Sequence, residues 1–181
     1  MRIVAGEWRG RKLVAPPGDI TRPTADRTRE TLFNMLASRV GSFEGLSVAD
    51  LFAGSGALGL EALSRGAASC LFVEQDAQAV KTIRKNVETL DARKRATVQQ
   101  ASVMSLGPAK SPHDLILLDP PYDTGAGHVA LDRLARLDWI GPASWAALEI
   151  AANEIRELRD FEIIAERKTG KAEILLLRLA R

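Results

Sequence analysis

The 181-residue chain is 46% apolar and 27% charged, enough to bury one sizeable core and too apolar for a disordered segment. Its net charge is only +2, yet residues 1–31 hold seven basic side chains against four acidic ones, an asymmetry that suits a polyanionic partner. A single cysteine (Cys70) excludes an internal disulfide and a cysteine-rich zinc site, two isolated histidines argue against any metal centre, and no apolar run reaches membrane-span length. A metal-free, cytoplasmic, monomeric protein is expected.

Segments 2–5 and 12–15 are short strand candidates around Gly6-Glu7-Trp8-Arg9-Gly10. They predict a basic β-hairpin extension over residues 1–20, ahead of one larger domain over 21–181. Pro16-Pro17-Gly18 breaks the chain, and Arg22-Pro23-Thr24 leads into a helix whose Leu32, Phe33, Met35 and Leu36 recur at helical spacing as far as Arg39 and Gly41. Beyond Leu46, strands and helices alternate. Strands are expected at 48–52, 70–74, 96–99, 114–118, 145–150, 162–167 and 172–179, and helices at 57–65, 77–90 and 129–137. Nearly continuous apolar strands separated by helices predict a mostly parallel α/β sheet with helices on both faces. Only Lys168-Thr169-Gly170-Lys171 separates the last two strands, so they should close the sheet as an antiparallel hairpin.

The first strand runs into Asp50-Leu51-Phe52-Ala53-Gly54-Ser55-Gly56-Ala57-Leu58-Gly59, a G-x-G-x-x-G loop between strand and helix. Glycines there allow a ligand close to the backbone, and Glu74, ending the second strand, is placed to accept two ribose hydroxyls. A dinucleotide would bring a pyrophosphate to this loop, and Asp50 would oppose its charge. The same acid suits the cationic methionine end of S-adenosylmethionine, directly or through water. A Walker loop is excluded because no Gly-Lys-Ser/Thr follows the glycines.

The fourth strand ends on Asp119-Pro120-Pro121-Tyr122. Two prolines end the ladder and stiffen the turn. Asp119 and a proline carbonyl make a two-acceptor slot for an NH2 group, beside an aromatic face for a flat ring. A nucleobase amine fits this slot, and the slot alone does not distinguish guanine from adenine.

Together these residues resemble the class I S-adenosylmethionine-dependent methyltransferases of the amino-group type, whose signature is Asp/Asn-Pro-Pro-aromatic. Residues 1–13 (MRIVAGEWRGRKL) and 21–36 (TRPTADRTRETLFNML) are further similar to the RsmD family of bacterial 16S rRNA guanine-N2 methyltransferases. The resemblance implies a Rossmann-like seven-stranded sheet, mostly parallel, and methylation of guanine 966 at N2, with 16S rRNA or a 30S subunit assembly as partner. It carries Asp119, Pro120, Pro121 and Tyr122 to the catalytic motif. Gly54, Gly56 and Glu74 go to the cofactor loop and ribose, Asp50 lies near the methionine end, and Phe52, Ala53 and Gln75 adjoin these positions. Family members often place Asp or Asn after the third strand to recognise the adenine amine. This chain has Ala101-Ser102 there, which leaves Ser102 as the candidate. Arg2, Arg9, Arg11, Lys12, Arg22 and Arg29 are the candidate RNA contacts. Two other readings stand beside this one: a DNA or RNA methyltransferase acting on adenine or cytosine amines, and a non-catalytic RNA-binding assembly factor.

Overall fold

Strands that are apolar along their whole length need cover on both faces, and the central strands of this sheet have it. The structure, a computed structural model, describes residues 1–18 and 23–180, with Pro23 and Thr24 described by backbone alone. The seven strands are β1 (Ser47–Leu51), β2 (Ser69–Glu74), β3 (Ala96–Gln100), β4 (Leu115–Leu118), β5 (Trp145–Ala151), β6 (Phe161–Thr169) and β7 (Ala172–Leu179). They lie in the order β3-β2-β1-β4-β5-β7-β6. The first five are parallel, and β7 pairs antiparallel with both β5 and β6. The chain therefore winds outward from β1 to β3, then returns to β4 on β1's other side. That reversal opens a crevice at the carboxyl ends of β1 and β4.

Alternate side chains of the strands feed two separate cores. Val48, Phe72, Leu115 and Leu117 face α1 (Pro23–Val40), α2 (Ala57–Ser64) and α3 (Ala77–Thr89) through Phe33, Leu60 and Ile83. Leu51, Val73, Ile116 and Leu148 face α4 (Ala126–Arg136) through Leu131 and Leu134, with Trp139 and Ile140 beyond it. Cys70 is buried in the first core, where burial pushes its thiol up and leaves it unreactive.

The N-terminal arm differs from a regular hairpin. Its two limbs meet antiparallel at a single bridge, Arg2 to Lys12, with Ile3 N–H donating to the Arg11 carbonyl at 3.0 Å and Leu13 N–H to that of Met1 at 2.9 Å. Four further backbone donors of the arm go to α2. Glu61 accepts from Val4 N at 2.8 Å and Ala5 N at 3.1 Å, while Ser64 accepts Glu7 N on its carbonyl and Trp8 N on its hydroxyl. Ile3, Trp8 and Leu13 are buried in the first core, so these residues pack as part of the sheet's helical cover. A Cβ at Gly6 would lie 2.0 Å from the Ser64 carbonyl oxygen, a measure of how closely the arm lies on α2.

Most element boundaries fall within one or two residues of the sequence reading, and two of the shifts have a visible cause. β1 ends at Leu51 because Phe52 is left-handed (φ 59°) and turns the chain out of the sheet. α4 begins at Ala126, earlier than its first apolar repeat, because left-handed Gly125 starts it and Gly127 sits against Leu148 and Pro120.

Candidate active site

The glycine loop is held from below, behind and beside. Asp50 is 1% exposed, and its Oδ2 accepts from Gly59 N at 2.9 Å, tying the strand end to the first turn of α2. Burial, and then the nearby Glu74 charge, push this carboxyl up to about 8 against the lowering effect of the Gly59 bond. Glu74 accepts from Gly54 N at 2.9 Å and from Asp76 N at 2.8 Å. Asn86, buried on α3, donates to the carbonyls of Ser55 and Val14 and accepts from Val14 N.

The glycines of this loop serve different ends. A Cβ at Gly54 (φ +57°) would meet nothing within 4 Å, so that position presents open backbone. One at Gly59 would lie 2.4 Å from the Phe72 ring and 2.6 Å from Cys70 Sγ, so this glycine allows α2 to rest on β2. Gly56 is intermediate, 3.3 Å from Ile83 and 3.4 Å from Phe72.

A cleft of about 670 Å³ opens above the loop, within the roughly 300–1,000 Å³ range of small-molecule sites. Phe52, Gly54, Glu74, Gln75 and Ser102 line one side, and Asp119, Pro120, Pro121 and Tyr122 line the other. Ser102 Oγ accepts from Met104 N at 3.2 Å and caps a short 3-10 turn, which leaves its hydroxyl proton available to a guest. Of the other expected cofactor residues, Ala53 lines an adjoining cavity of about 280 Å³, and neither Asp50 nor Gly56 lines the cleft. Asp50 lies outside that lining: its buried carboxyl supports the loop from beneath through Gly59 N.

Cleft and cavity share Phe52, Gly54, Asp119 and Glu149. Glu149, on β5, is absent from the sequence reading. The register pairing Leu118 with Leu148 continues to place Asp119 beside Glu149 on the neighbouring strand. Tyr122, 43% exposed, donates its hydroxyl to Glu149 Oε1. Burial, followed by that hydrogen bond, raises the phenol's pKa and keeps it protonated. A third hollow, of about 940 Å³, continues from Tyr122 and Glu149 past Thr28 and Asn153 to Thr169 and Lys171. Exposed Arg167, Lys168 and Lys171 stand at this β6–β7 turn, and a hydrogen bond of 2.9 Å between the Thr28 and Thr169 hydroxyls fixes it to α1.

The basic arm divides. Arg2, Arg9, Arg11 and Lys12 are exposed, with Arg11 also donating to the Thr89 carbonyl at 2.9 Å. Arg29 is corrected: it is 5% exposed, pairs with Asp26 at 3.1 Å and Glu61 at 3.7 Å, and donates to the Arg2 carbonyl. Its charge is spent inside the protein. Arg22 lies outside the described residues.

The donor set fits a ligand with a ribose and a cationic tail. Glu74 retains lone pairs for hydroxyls, the Gly54 backbone is approachable, and an acidic wall faces the reaction side. A sheet that reverses at β1 and β4, with this loop on one side and Asp119-Pro120-Pro121-Tyr122 on the other, defines a class I S-adenosylmethionine-dependent methyltransferase. Comparison with known proteins narrows the class. The sequence family described as Conserved hypothetical protein 95 matches residues 1–178. Ribosomal RNA small subunit methyltransferase D of Escherichia coli (strain K12) is 41% identical over 140 residues, spanning 77% of this chain and 69% of that protein. Its Haemophilus influenzae namesake is 36% identical across 94% of this chain and 89% of its own length. The solved yhhF protein of Escherichia coli superposes with a TM-score of 0.85 at 36% identity, covering 100% of this chain and 99% of that one. The chain belongs to the RsmD family of methyltransferases.

Proposed function

We propose that this enzyme methylates the exocyclic N2 amine of a guanine in the RNA of the small ribosomal subunit. The observation that carries the reading is Asp119 at the junction of the cofactor cleft and the adjoining cavity, on a proline-stiffened turn next to Tyr122. The relatives named for small-subunit ribosomal RNA support the substrate class, and the exposed arm of Arg2, Arg9, Arg11 and Lys12 supplies a surface for its phosphates. When bound, S-adenosylmethionine supplies an electrophilic methyl group. Glu74 and the Gly54 backbone would hold its ribose end, and Ser102 would offer its hydroxyl to the adenine.

Guanine N2 is a weak nucleophile because its lone pair is delocalised into the ring. Asp119 and the Pro120 carbonyl accept the two N–H bonds of the amine and draw the nitrogen toward a pyramidal form. Asp119 and Pro120 would thereby aim the lone pair at the methyl group; as the N–C bond forms the methyl–sulfur bond would break, its electron pair staying on the departing thioether, and one amine proton would pass to Asp119. The target base leaves its stack to enter the site and rests on Tyr122, a contact worth roughly 1–3 kcal/mol. Positioning and fixed acceptors supply the acceleration, with no covalent enzyme intermediate.

Tritiated-methyl transfer to unmethylated 30S particles, naked 16S RNA and DNA, followed by nucleoside mapping, tests the substrate. N2-methylguanosine in the RNA arms is the expected product, and label on adenine, on cytosine or in DNA rejects the assignment. Asp119→Ala should abolish transfer while binding of the methyl donor persists. Retained turnover in that variant sinks the role given to Asp119.

A further inference from the structure

We infer that Glu149 reads the base edge next to the amine, making the site select a purine that presents two adjacent N–H donors. This rests on the methyltransferase reading above and adds the residue that decides which base is accepted. Glu149 interrupts an otherwise apolar strand: Ala146, Ala147, Leu148, Ile150 and Ala151 around it are all buried. The parallel register puts it beside Asp119 at the same end of the sheet, where adjacent strands run about 4.8 Å apart. It lines the cofactor cleft, the adjoining cavity and the hollow leading to Lys171, so a base held between Tyr122 and Asp119 meets it. Tyr122, whose hydroxyl stays a donor, bonds one carboxylate oxygen and orients the group.

The chemistry of the pair distinguishes bases in a way that Asp119 alone does not. An ionised carboxylate only accepts hydrogen bonds. Guanine presents N1–H and N2–H2 side by side, one edge of donors facing two acids. Adenine presents its amine beside an unprotonated N1, and cytosine its amine beside an unprotonated N3. In either of those, a ring lone pair would face the Glu149 carboxylate, with an unmet acceptor on each side. Asp119 takes the amine, Glu149 takes N1–H, and only guanine satisfies both.

The test uses small-subunit particles assembled from 16S RNA carrying either guanosine or 2-aminopurine riboside at the position that the wild-type enzyme methylates. 2-Aminopurine keeps the N2 amine but has an unprotonated N1. The wild type should favour guanosine in kcat/KM by about 100-fold or more, as sites built to bond a substrate N–H do. Glu149→Gln can accept from N1–H or donate to a bare N1, so the preference should fall to within about tenfold, chiefly by a gain on 2-aminopurine. Tyr122→Phe keeps the carboxylate and should slow both substrates with the preference intact. A wild type that methylates both bases within about threefold overturns the inference without any variant. So does a Glu149→Gln enzyme that slows both equally, which would leave Glu149 as a mere support for Tyr122. N2-methylguanosine still forms in those two outcomes, and the broader function survives. Wild-type label on adenine or cytosine, or no label, defeats both.

Discussion

Removing the Glu61 carboxylate should be the most damaging single change outside the active site. The side chain is fully buried, at 0% exposure, yet it accepts three hydrogen bonds, from Val4 N at 2.8 Å, Ala5 N at 3.1 Å and Arg65 Nε at 2.9 Å, and forms an ion pair with Arg29 at 3.7 Å. Glu61→Ala leaves two backbone N–H groups unmet and takes from the buried Arg29 guanidinium one of its two carboxylate partners. Breaking a buried ion pair from one side costs about 3–5 kcal/mol. For a chain of this size each kcal/mol moves Tm by about 2–4 °C, so a fall of about 6–20 °C is expected. Glu61→Gln keeps an acceptor for the arm but loses the charge, and should fall between wild type and Ala. Urea unfolding at pH 7 gives the free energies, and amide exchange at Val4 and Ala5 reports whether the arm has lifted. A loss below about 1 kcal/mol for Glu61→Ala, with those amides still protected, would refute the claim that this carboxylate anchors the arm.

Asp50 should make stability fall as pH rises. Its folded pKa of about 8 exceeds the ordinary 3.8, so the folded state binds more protons between those values. The stability it contributes is complete below pH 3.8 and is lost as pH climbs through about 8. Asp50→Asn should flatten that slope in urea titrations across this window, and an unchanged slope refutes the assignment. Gly59→Ala places a methyl group 2.4 Å from the Phe72 ring, and overpacking of about 1–3 kcal/mol should appear as a lower urea midpoint; unchanged stability would mean α2 shifts freely on β2. Neutralising Arg9, Arg11 and Lys12 together should weaken RNA binding and reduce the slope of log K against log salt by about 0.7–0.9 for each phosphate that no longer meets a cation. Filter binding at several salt concentrations measures this, and an identical slope would remove the arm from the RNA surface.

The centre of the sheet was legible in the sequence because β1, β4 and β5 are buried on both faces and read as apolar runs. Val48, Leu115 and Leu117 are fully buried in the first core, while Ala49 and Ile116 are fully buried in the second. The Asp119 turn was legible because prolines can end a strand in few ways. α4 began earlier than its apolar repeat suggested, since Gly125-Ala126-Gly127 carries no large side chain for periodicity to register. Arg29 was misplaced because a charge count records sign without direction. Its neighbour Arg27 is exposed, and only the distant partner Glu61 reveals that Arg29 points inward. Glu149 went unnoticed for a related reason: its meaning lies in the strand beside it, and only sheet order brings it to Asp119.

Asn86 joins Val14 of the arm to Ser55 of the glycine loop through three hydrogen bonds of one amide. Neither segment can pull away without leaving a buried polar group unmet, so the arm and the loop are mechanically one body. Thermodynamic linkage follows from that shared anchor. If RNA on the arm steadies the loop, the methyl donor in the loop must steady RNA on the arm by the same factor. Measuring each affinity with and without the other ligand, in the wild type and in Asn86→Ala, reads that factor from both ends. Equal factors that shrink together in the variant are the expected result, and a factor that survives Asn86→Ala would place the coupling elsewhere.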